Sequence, residues 1–226
     1  NPRLLIAARD EFIKAKVEEH HYQPPYFRLM ELLNLEGANA APRVMRPRLL
    51  GLEDLGESGA DHLVDVREPL AYAAGHMQGA VCLPVGMIPA FAGWFISEGD
   101  TIALIASEED ELAQAMAHLV RIGLDNIVGG YVGVIPAAAQ GKAMQSIAMI
   151  DTEEVARRLA EDSEDWTLLD VRALDERQQG SIDESEHVYV GELNTRWKEL
   201  DRDRHYTLMC ASGMRASVAA GWLASQ

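Results

Sequence analysis

The chain has 226 residues, a formal net charge of −16 and a sequence pI of about 4.8. Such an acidic composition makes nucleic acid and anionic membranes poor partners, because both reward clustered Lys and Arg. No apolar run approaches the roughly 20 residues that span a bilayer, and the first residues do not have the pattern of a signal peptide. The length leaves room for one large or two small domains with a sufficient core.

Only two cysteines are present, Cys82 and Cys210. They fall in different units of the repeat described below, so a disulfide framework is not expected. A cytoplasmic location is therefore predicted. The sequence starts at Asn1 rather than Met, and we expect it to be part of a longer protein.

Residues 1–43 precede the repeated part of the chain and are predicted to be a helical linker or the tail of an upstream domain. A charged, helix-prone stretch surrounds residues 12–17, and a second short helix is predicted from Tyr26 to Leu33, ending near Gly37. The segment is too small to form a large core by itself, so it should pack against another domain.

An internal repeat organises the rest of the chain. The sequence LVDVR at residues 63–67 recurs as LLDVR at residues 168–172, and Gly75 is matched by Gly180 at the same offset. Each copy alternates polar helices with short apolar strands, which indicates an α/β fold with a mostly parallel sheet flanked by helices. The two predicted domains are residues 44–143 and 144–226.

The first copy continues beyond its best-marked helix. Apolar residues at helical spacing predict that this helix ends at Gly123. A short strand from Asn126 to Val128, a turn at Gly129 and Gly130, and a small final helix should follow. The second copy has no counterpart of these last elements, because the sequence stops at Gln226. We therefore expect the second domain to be truncated at its C-terminal end, or its sheet to be covered by something else.

The stretch CASGMR, residues 210–215, is the most informative in the chain. It follows an apolar strand and opens a helix, so Cys210 is predicted at a strand-to-helix turn. Unpaired backbone N–H groups at a helix start stabilise a thiolate over its thiol, which favours a nucleophile. The alternative is a buried cysteine that acts as a small hydrophobe. The Ser-Gly pair and Arg215 favour an open, functional loop.

Each residue of the predicted loop has a proposed role. Gly213 lets the backbone turn tightly, and the loop N–H groups can form an anion nest around sulfur carried on Cys210. Arg215 adds a permanent cation that can orient the loop or a charged donor. Ser212 either donates a hydrogen bond or caps the following helix. The predicted substrate-binding residues around the catalytic Cys210 are Ala211, Ser212, Gly213, Met214 and Arg215.

Tandem copies of this kind, the second with CASGMRAS, resemble the rhodanese family of sulfurtransferases over residues 44–226. The resemblance rests on LVDVREPLAYAAGHMQGAVCLP in the first copy, and on LLDVRALDE and CASGMRASVAAGWLASQ in the second. It implies that Cys210 takes sulfur from thiosulfate or a small persulfide and holds it as a cysteine persulfide. The sulfur then passes to cyanide, sulfite or a thiol. No cofactor is implied in this chain.

The opening segment HHYQPPYFRLMELLNLEG resembles the tail of a metallo-β-lactamase-fold domain. It is similar to the junction with tandem rhodanese units in persulfide dioxygenase–rhodanese fusion proteins. That resemblance implies a role in persulfide or sulfide oxidation, and iron in an upstream domain. No metal site is predicted here, because His20 and His21 adjoin each other without metal-ligand spacing. We expect the chain to pack on such an upstream domain or to form a homo-oligomer.

The resemblance also implies that only the second copy has the catalytic residues. Loop spacing in the family places Ala106 where the second copy has Cys210, and Glu111 where it has Arg215. The first copy should therefore be catalytically inactive and have a structural role. Cys82 lies in an apolar strand without a nearby cation, and is predicted to be an inert core residue.

Other polar residues near the predicted sheet receive structural interpretations. Asp170 and Arg172 follow an apolar strand and should form an ion pair or brace a loop, since the same pair occurs in the copy without the nucleophile. Nothing in the sequence makes His187 or His205 a general base.

Two other functions stay open. Cysteine phosphatases and arsenate reductases also combine a cysteine, an arginine and a backbone cradle. Related phosphatases carry one more residue in the loop, whereas the four residues between Cys210 and Arg215 favour a narrower loop that holds sulfur. The chain could instead be a non-catalytic module in which both copies only mediate assembly.

Overall fold

The computed structural model describes residues 8–18, 21–38, 40, 45–161 and 165–226. Before the repeats, the described residues form two helices, α1 (Arg9–Val17) and α2 (Tyr26–Glu36). The first repeat contains α3 (Leu52–Glu57), β1 (His62–Asp65), α4 (Pro69–Ala74), β2 (His76–Met77), β3 (Val81–Cys82), α5 (Ile88–Phe95), β4 (Ile102–Ala106), α6 (Glu109–Arg121), β5 (Ile127–Val132), α7 (Val134–Ala139) and β6 (Met144–Gln145). The second contains α8 (Thr152–Glu161), β7 (Trp166–Asp170), α9 (Leu174–Gln179), β8 (Glu186–His187), α10 (Leu193–Arg196), β9 (His205–Met209) and α11 (Met214–Ala224). Within these ranges, no helix is both long enough and apolar enough to cross a membrane.

Four parallel strands form the sheet of the first repeat, in the order β3-β1-β4-β5. All five residues of β4 are buried, as is typical of a parallel strand covered by helices on both faces. α6 follows β4 and ends just before Gly123, which has a φ of +79°. This confirms the predicted helix and its end at a glycine. β2 and β6 form a separate antiparallel pair.

The turn predicted at Gly129 and Gly130 is wrong, because both residues lie inside β5 and pair with the middle of β4. Close packing explains the two glycines. A Cβ on Gly129 would stand 2.8 Å from the carbonyl oxygen of Arg48, and a Cβ on Gly130 would stand 2.7 Å from the side chain of Leu112. The missing side chains let the preceding segment and α6 approach the strand.

Three parallel strands form the sheet of the second repeat, in the order β8-β7-β9. Helices flank this sheet as they do the first, which confirms the α/β fold with mostly parallel sheets. β9 lies at one edge, and among the described residues no strand pairs with its outer side. α11 follows β9 across a short loop at residues 210–213.

One hydrophobic core extends through both repeats. α11 of the second repeat packs against β3 of the first so closely that a Cβ on Gly221 would stand 2.5 Å from the Cβ of Cys82. On the same helix, the ring of Trp222 lies 4.8 Å from that of Phe95, centroid to centroid. The first repeat therefore supports the helix that begins at the cysteine loop.

The segment before the repeats packs on the first repeat through α2, as expected. The ring of Tyr26 covers Gly93, where a Cβ would lie within 3 Å of the ring atoms. The Tyr26 hydroxyl donates to the carbonyl oxygen of Pro89 at 3.0 Å. α2 starts at Tyr26 and runs to Glu36, and Gly37 follows with a φ of +96°, which confirms the predicted start and the predicted end near Gly37.

Candidate active site

Cys210 lies at the carboxyl end of β9, where the chain turns into α11. Gly213 adopts a left-handed conformation with φ +84°, which a side chain would disfavour. Its backbone N–H donates to Cys210 Sγ at 3.1 Å. The turn thus directs an amide hydrogen at the sulfur. The cysteine is half-buried rather than sealed in the core, and it borders an open cleft of about 1020 Å³.

The other predicted loop residues differ in their exposure. Ala211 and Ser212 are exposed, whereas Gly213, Met214 and Arg215 are half-buried. The residue preceding the helix is Gly213, so the expectation that Ser212 caps α11 is wrong. The hydroxyl of Ser217 instead donates to the carbonyl oxygen of Gly213 at 2.9 Å. The turn is therefore closed by α11 itself.

A carboxylate that the sequence did not reveal completes the site. Both terminal nitrogens of Arg215 donate to Glu176 of α9, one of them at 2.8 Å. The Glu176 carboxylate raises the pKa of Arg215, and the sulfur of Cys210 raises it further, while burial opposes both. In turn, the pKa of Glu176 is lowered, chiefly by the hydrogen bond from Arg215. Arg215 is therefore hydrogen-bonded to the Glu176 carboxylate and interacts electrostatically with the candidate nucleophile.

Comparison of the two repeats supplies the signal that could have found this pair. Gly75 and Gly180 align the repeats, and that alignment places Ala71 at the position of Glu176. Glu111 already stands where the second repeat has Arg215. Both members of the pair are therefore lost together in the first repeat.

Backbone pairing gives the structural register of the two loops. The N–H of Val66 donates to the carbonyl oxygen of Ile105 at 2.9 Å, and the equivalent N–H of Val171 donates to Met209 at 3.0 Å. Ile105 and Met209 are therefore equivalent, and the residues that follow them are Ala106 and Cys210. This register confirms that the first repeat has alanine at the position of the candidate nucleophile.

The loop of the first repeat is occupied by its own acidic side chains. The carboxylate of Glu111 accepts the N–H of Ser107 at 2.7 Å. Arg46 lies 3.9 Å from Glu109 and 3.6 Å from Asp110. The N–H of Ser107, which could otherwise bind a substrate anion, is thus already hydrogen-bonded to the Glu111 carboxylate.

The aspartate–arginine pairs are structural braces, as predicted. Arg172 donates to both carboxylate oxygens of Asp170, and also to the carbonyl oxygen of Gly180 at 2.9 Å. Arg67 makes the same contacts in the first repeat, to Asp65 and to Gly75. Each pair therefore ties the end of a strand to the loop after the next helix.

The structure gives His187, His205 and Cys82 structural positions rather than catalytic ones. A ring nitrogen of His187 is hydrogen-bonded to the carbonyl oxygen of Arg172 at 2.8 Å, and His205 begins β9, at the opposite end from Cys210. Cys82 is 1% exposed, and burial raises its pKa, which fits the predicted inert role. In the part of the chain that the structure describes, no group of three metal-ligating side chains occurs, and His20 lies outside that part.

Comparisons with known proteins agree with this architecture. The sequence profile of the rhodanese-like domain matches residues 51–136 and 151–226, which is more than half of the chain. A Bacillus subtilis protein, YtwF, whose naming as a sulfurtransferase is provisional, is 31% identical over 80 residues, covering 35% of this chain and 77% of that protein. A sulfurtransferase of Allochromatium vinosum is 35% identical over 77 residues, covering 34% of this chain and 71% of that protein.

Among solved structures, a thiosulfate sulfurtransferase from Pseudomonas aeruginosa is similar over 89% of this chain, with 18% identity and a TM-score of 0.38. The chain spans 44% of that structure's length. The family assignment rests on the sequence profile, which matches both repeats. The chain belongs to the family of rhodanese-like domain proteins.

Proposed function

We propose that the second repeat is a sulfurtransferase that carries sulfane sulfur on Cys210. The observation that carries this proposal is the hydrogen bond from the N–H of Gly213 to Cys210 Sγ, in a loop where the sulfur also raises the pKa of Arg215. A loop amide and a neighbouring guanidinium can stabilise an anion on sulfur. Membership of the rhodanese-like family and the names of two relatives support sulfur transfer in general.

The reaction has two displacement steps. The Cys210 thiolate attacks the outer sulfur of thiosulfate or of an organic persulfide. The S–S bond of the donor breaks, and sulfite or an organic thiolate leaves with the bonding electron pair. Cys210 then carries a persulfide, whose terminal sulfur is attacked by cyanide, sulfite or a thiol. That second displacement returns the Cys210 thiolate, because attack on the outer sulfur of a disulfide bond expels the inner one as a thiolate.

The first repeat has a supporting role in this proposal. It has Ala106 in place of the nucleophile, and its β3 supports α11 through the contact between Cys82 and Gly221. We further propose that the protein works in a reducing, cytoplasmic compartment, because both cysteines are free and reducing compartments keep thiols reduced. The resemblance of residues 20–37 to a metallo-β-lactamase-fold tail supports persulfide oxidation as the context, with an upstream domain as partner.

Intact-mass measurement after treatment with thiosulfate tests the proposal. The wild-type protein should gain one sulfur atom and lose it on addition of cyanide, with formation of thiocyanate. Cys210→Ser should gain no sulfur. The matched control Cys82→Ser should still gain one sulfur atom, although this variant protein should be less stable than the wild type. A wild-type protein that releases phosphate in a vanadate-sensitive manner, and takes up no sulfur, would identify a phosphatase instead. Partner binding without either activity would identify an interaction module.

A further inference from the structure

Three aromatic side chains from three parts of the chain meet at the carboxyl end of the second repeat's parallel sheet. Tyr22, from the segment before the repeats, stacks on Tyr189 of the second repeat, with ring centroids 3.7 Å apart and planes 22° apart. Trp94 of the first repeat meets the same tyrosine edge-on at 5.8 Å. We call Tyr22, Tyr189 and Trp94 the aromatic wall. All three residues are half-buried.

The wall lies at the same sheet edge as the cysteine loop. Tyr189 follows β8 and Cys210 follows β9, with β7 between them, and all three strands run parallel. Neighbouring strands are about 4.8 Å apart, so the two residues start roughly 10 Å from each other. Arg215 lies close enough to Tyr189 to act on its pKa, lowering it against the larger effect of burial. Arg215 therefore interacts electrostatically with both the Tyr189 phenol and the sulfur of Cys210.

The fold does not require an aromatic ring at this place. The equivalent residue of the first repeat is Pro84, and that repeat forms the same strand and the same short turn after it. Tyr189 packs against the hydrophobic core and also stacks on Tyr22, which lies outside the repeats. The contact with Tyr22 has no counterpart in holding the sheet together.

Acidic groups surround the wall. The pKa of Tyr22 is raised, first by burial and then by the charges of Glu192 and Asp175. Arg196 acts in the opposite direction and lies 3.3 Å from Glu192. Glu176 is bonded to Arg215. The chain charge of −16 repels a small dianion such as thiosulfate more than it repels a singly charged or zwitterionic donor.

From this arrangement we infer that the aromatic wall determines donor specificity, by packing against the organic part of a persulfide donor. This inference rests on the proposed function of Cys210. The thiolate of Cys210 attacks the terminal sulfur of R–S–SH, the S–S bond of the donor breaks, and R–S⁻ leaves with the bonding electron pair, so that Cys210 carries the persulfide. Tyr22 places the segment before the repeats in the site of the second repeat.

Steady-state kinetics with two donors test the inference, using cysteine persulfide and thiosulfate with the same acceptor. Tyr22→Leu and Tyr189→Leu remove the aromatic faces and keep apolar volume. We expect KM for cysteine persulfide to rise by roughly three- to tenfold, with kcat and the thiosulfate kinetics within about twofold of the wild type. Tyr22→Phe and Tyr189→Phe should restore the wild-type KM. Phe27→Leu, which removes a ring from the same segment away from Tyr189, is the matched control.

Two results overturn the inference. Equal losses with both donors indicate that the rings only support the loop, and unchanged KM for cysteine persulfide in both Leu variants indicates that the wall does not touch the donor. Melting curves of each variant verify that it is folded. A wild-type protein that takes sulfur from neither donor overturns the proposed function itself, which intact mass detects independently of any variant.

Discussion

Arg215 and Glu176 form a two-pronged ion pair across 39 residues of sequence. Arg215 belongs to α11, which follows the cysteine loop, and Glu176 belongs to α9, which follows the central strand of the same sheet. Two hydrogen bonds from a planar guanidinium to one carboxylate fix the orientation of the arginine. The position of the cation beside Cys210 is therefore set by Glu176.

Replacing Glu176 by Gln should slow sulfur transfer without removing it. Gln keeps the shape but not the charge, and hydrogen bonds to a charged group are stronger by about 1 kcal/mol than neutral ones. A less firmly oriented Arg215 should lower kcat/KM by about five- to tenfold, measured as thiocyanate formation from thiosulfate and cyanide. Glu109→Gln is the matched control, since Glu109 faces Arg46 in the loop of the first repeat. Equal rates for Glu176→Gln and the wild type would show that the pair does not position the cation.

Replacing Gly221 by Ala should destabilise the protein, even though Ala is the better helix former by about 1 kcal/mol. The added Cβ would stand 2.6 Å from the backbone nitrogen of Cys82, and that residue is fixed by pairing of β3 with β1. Overpacking of this kind typically costs about 1–3 kcal/mol or more. We expect a melting temperature several degrees lower, with sulfur transfer reduced because α11 carries the loop.

The matched control for this substitution is Gly86→Ala. A Cβ at Gly86 meets no atom within 4 Å, so the melting temperature should change little. If both variants melt like the wild type, the contact between α11 and β3 is not tight in solution.

Low pH should weaken the fold through Glu176 and Asp170. The Arg215 hydrogen bond lowers the pKa of Glu176. Burial acts to raise the pKa of Asp170, but the bonds and charge of Arg172 outweigh it and lower the pKa overall. Such carboxylates add stability that is fully present above their unfolded pKa of about 4 and is lost as the pH falls through the lower native value.

The free energy of unfolding should therefore fall as the pH drops below about 4.5, measured by urea denaturation at a series of pH values. Glu176→Gln removes one of the two titrating groups, so its curve should be shallower over the same range. A free energy that is constant from about pH 5 to pH 3 would contradict this assignment.

The sequence was sufficient to predict the α/β architecture and the cysteine loop, because both depend on local patterns. The recurrence of LVDVR and LLDVR marks equivalent strands, and a cysteine between an apolar strand and a helix marks the turn. Contacts between distant residues could not be predicted in this way. Nothing local tells which acid of α9 reaches Arg215, or that Tyr22 stacks on Tyr189.

The glycine pair in β5 shows why a local rule can fail. Adjacent glycines favour turns because they tolerate left-handed backbone, and that rule predicted a turn. In the fold, Gly129 and Gly130 are needed because Leu50, Arg48 and Leu112 occupy the space of their side chains. That crowding comes from segments remote in sequence, so only the folded chain reveals it.

Introducing a thiol at Ala106 should not create a second active site. The double variant Cys210→Ser with Ala106→Cys removes the native thiol and places a new one at the equivalent position of the first repeat. The N–H of Ser107 already bonds the Glu111 carboxylate at 2.7 Å, and neighbouring acids repel an anionic donor. We therefore expect no gain of sulfur by intact mass after thiosulfate treatment.

Introducing into the first repeat an ion pair equivalent to Glu176 and Arg215 should partly restore sulfur uptake by the cysteine at position 106. Adding Ala71→Glu and Glu111→Arg to the Ala106→Cys variant supplies the counterparts of Glu176 and Arg215, and frees the loop amide from its carboxylate. This variant should gain sulfur on the new cysteine, but more slowly than the wild-type second repeat. Ala106 is fully buried whereas Cys210 is half-buried, and the acidic residues at 108–110 stay in place. If Ala106→Cys alone takes up sulfur at the wild-type rate, a thiol at the end of a parallel strand is enough. The loop amide and the oriented arginine would then not be required for the reaction.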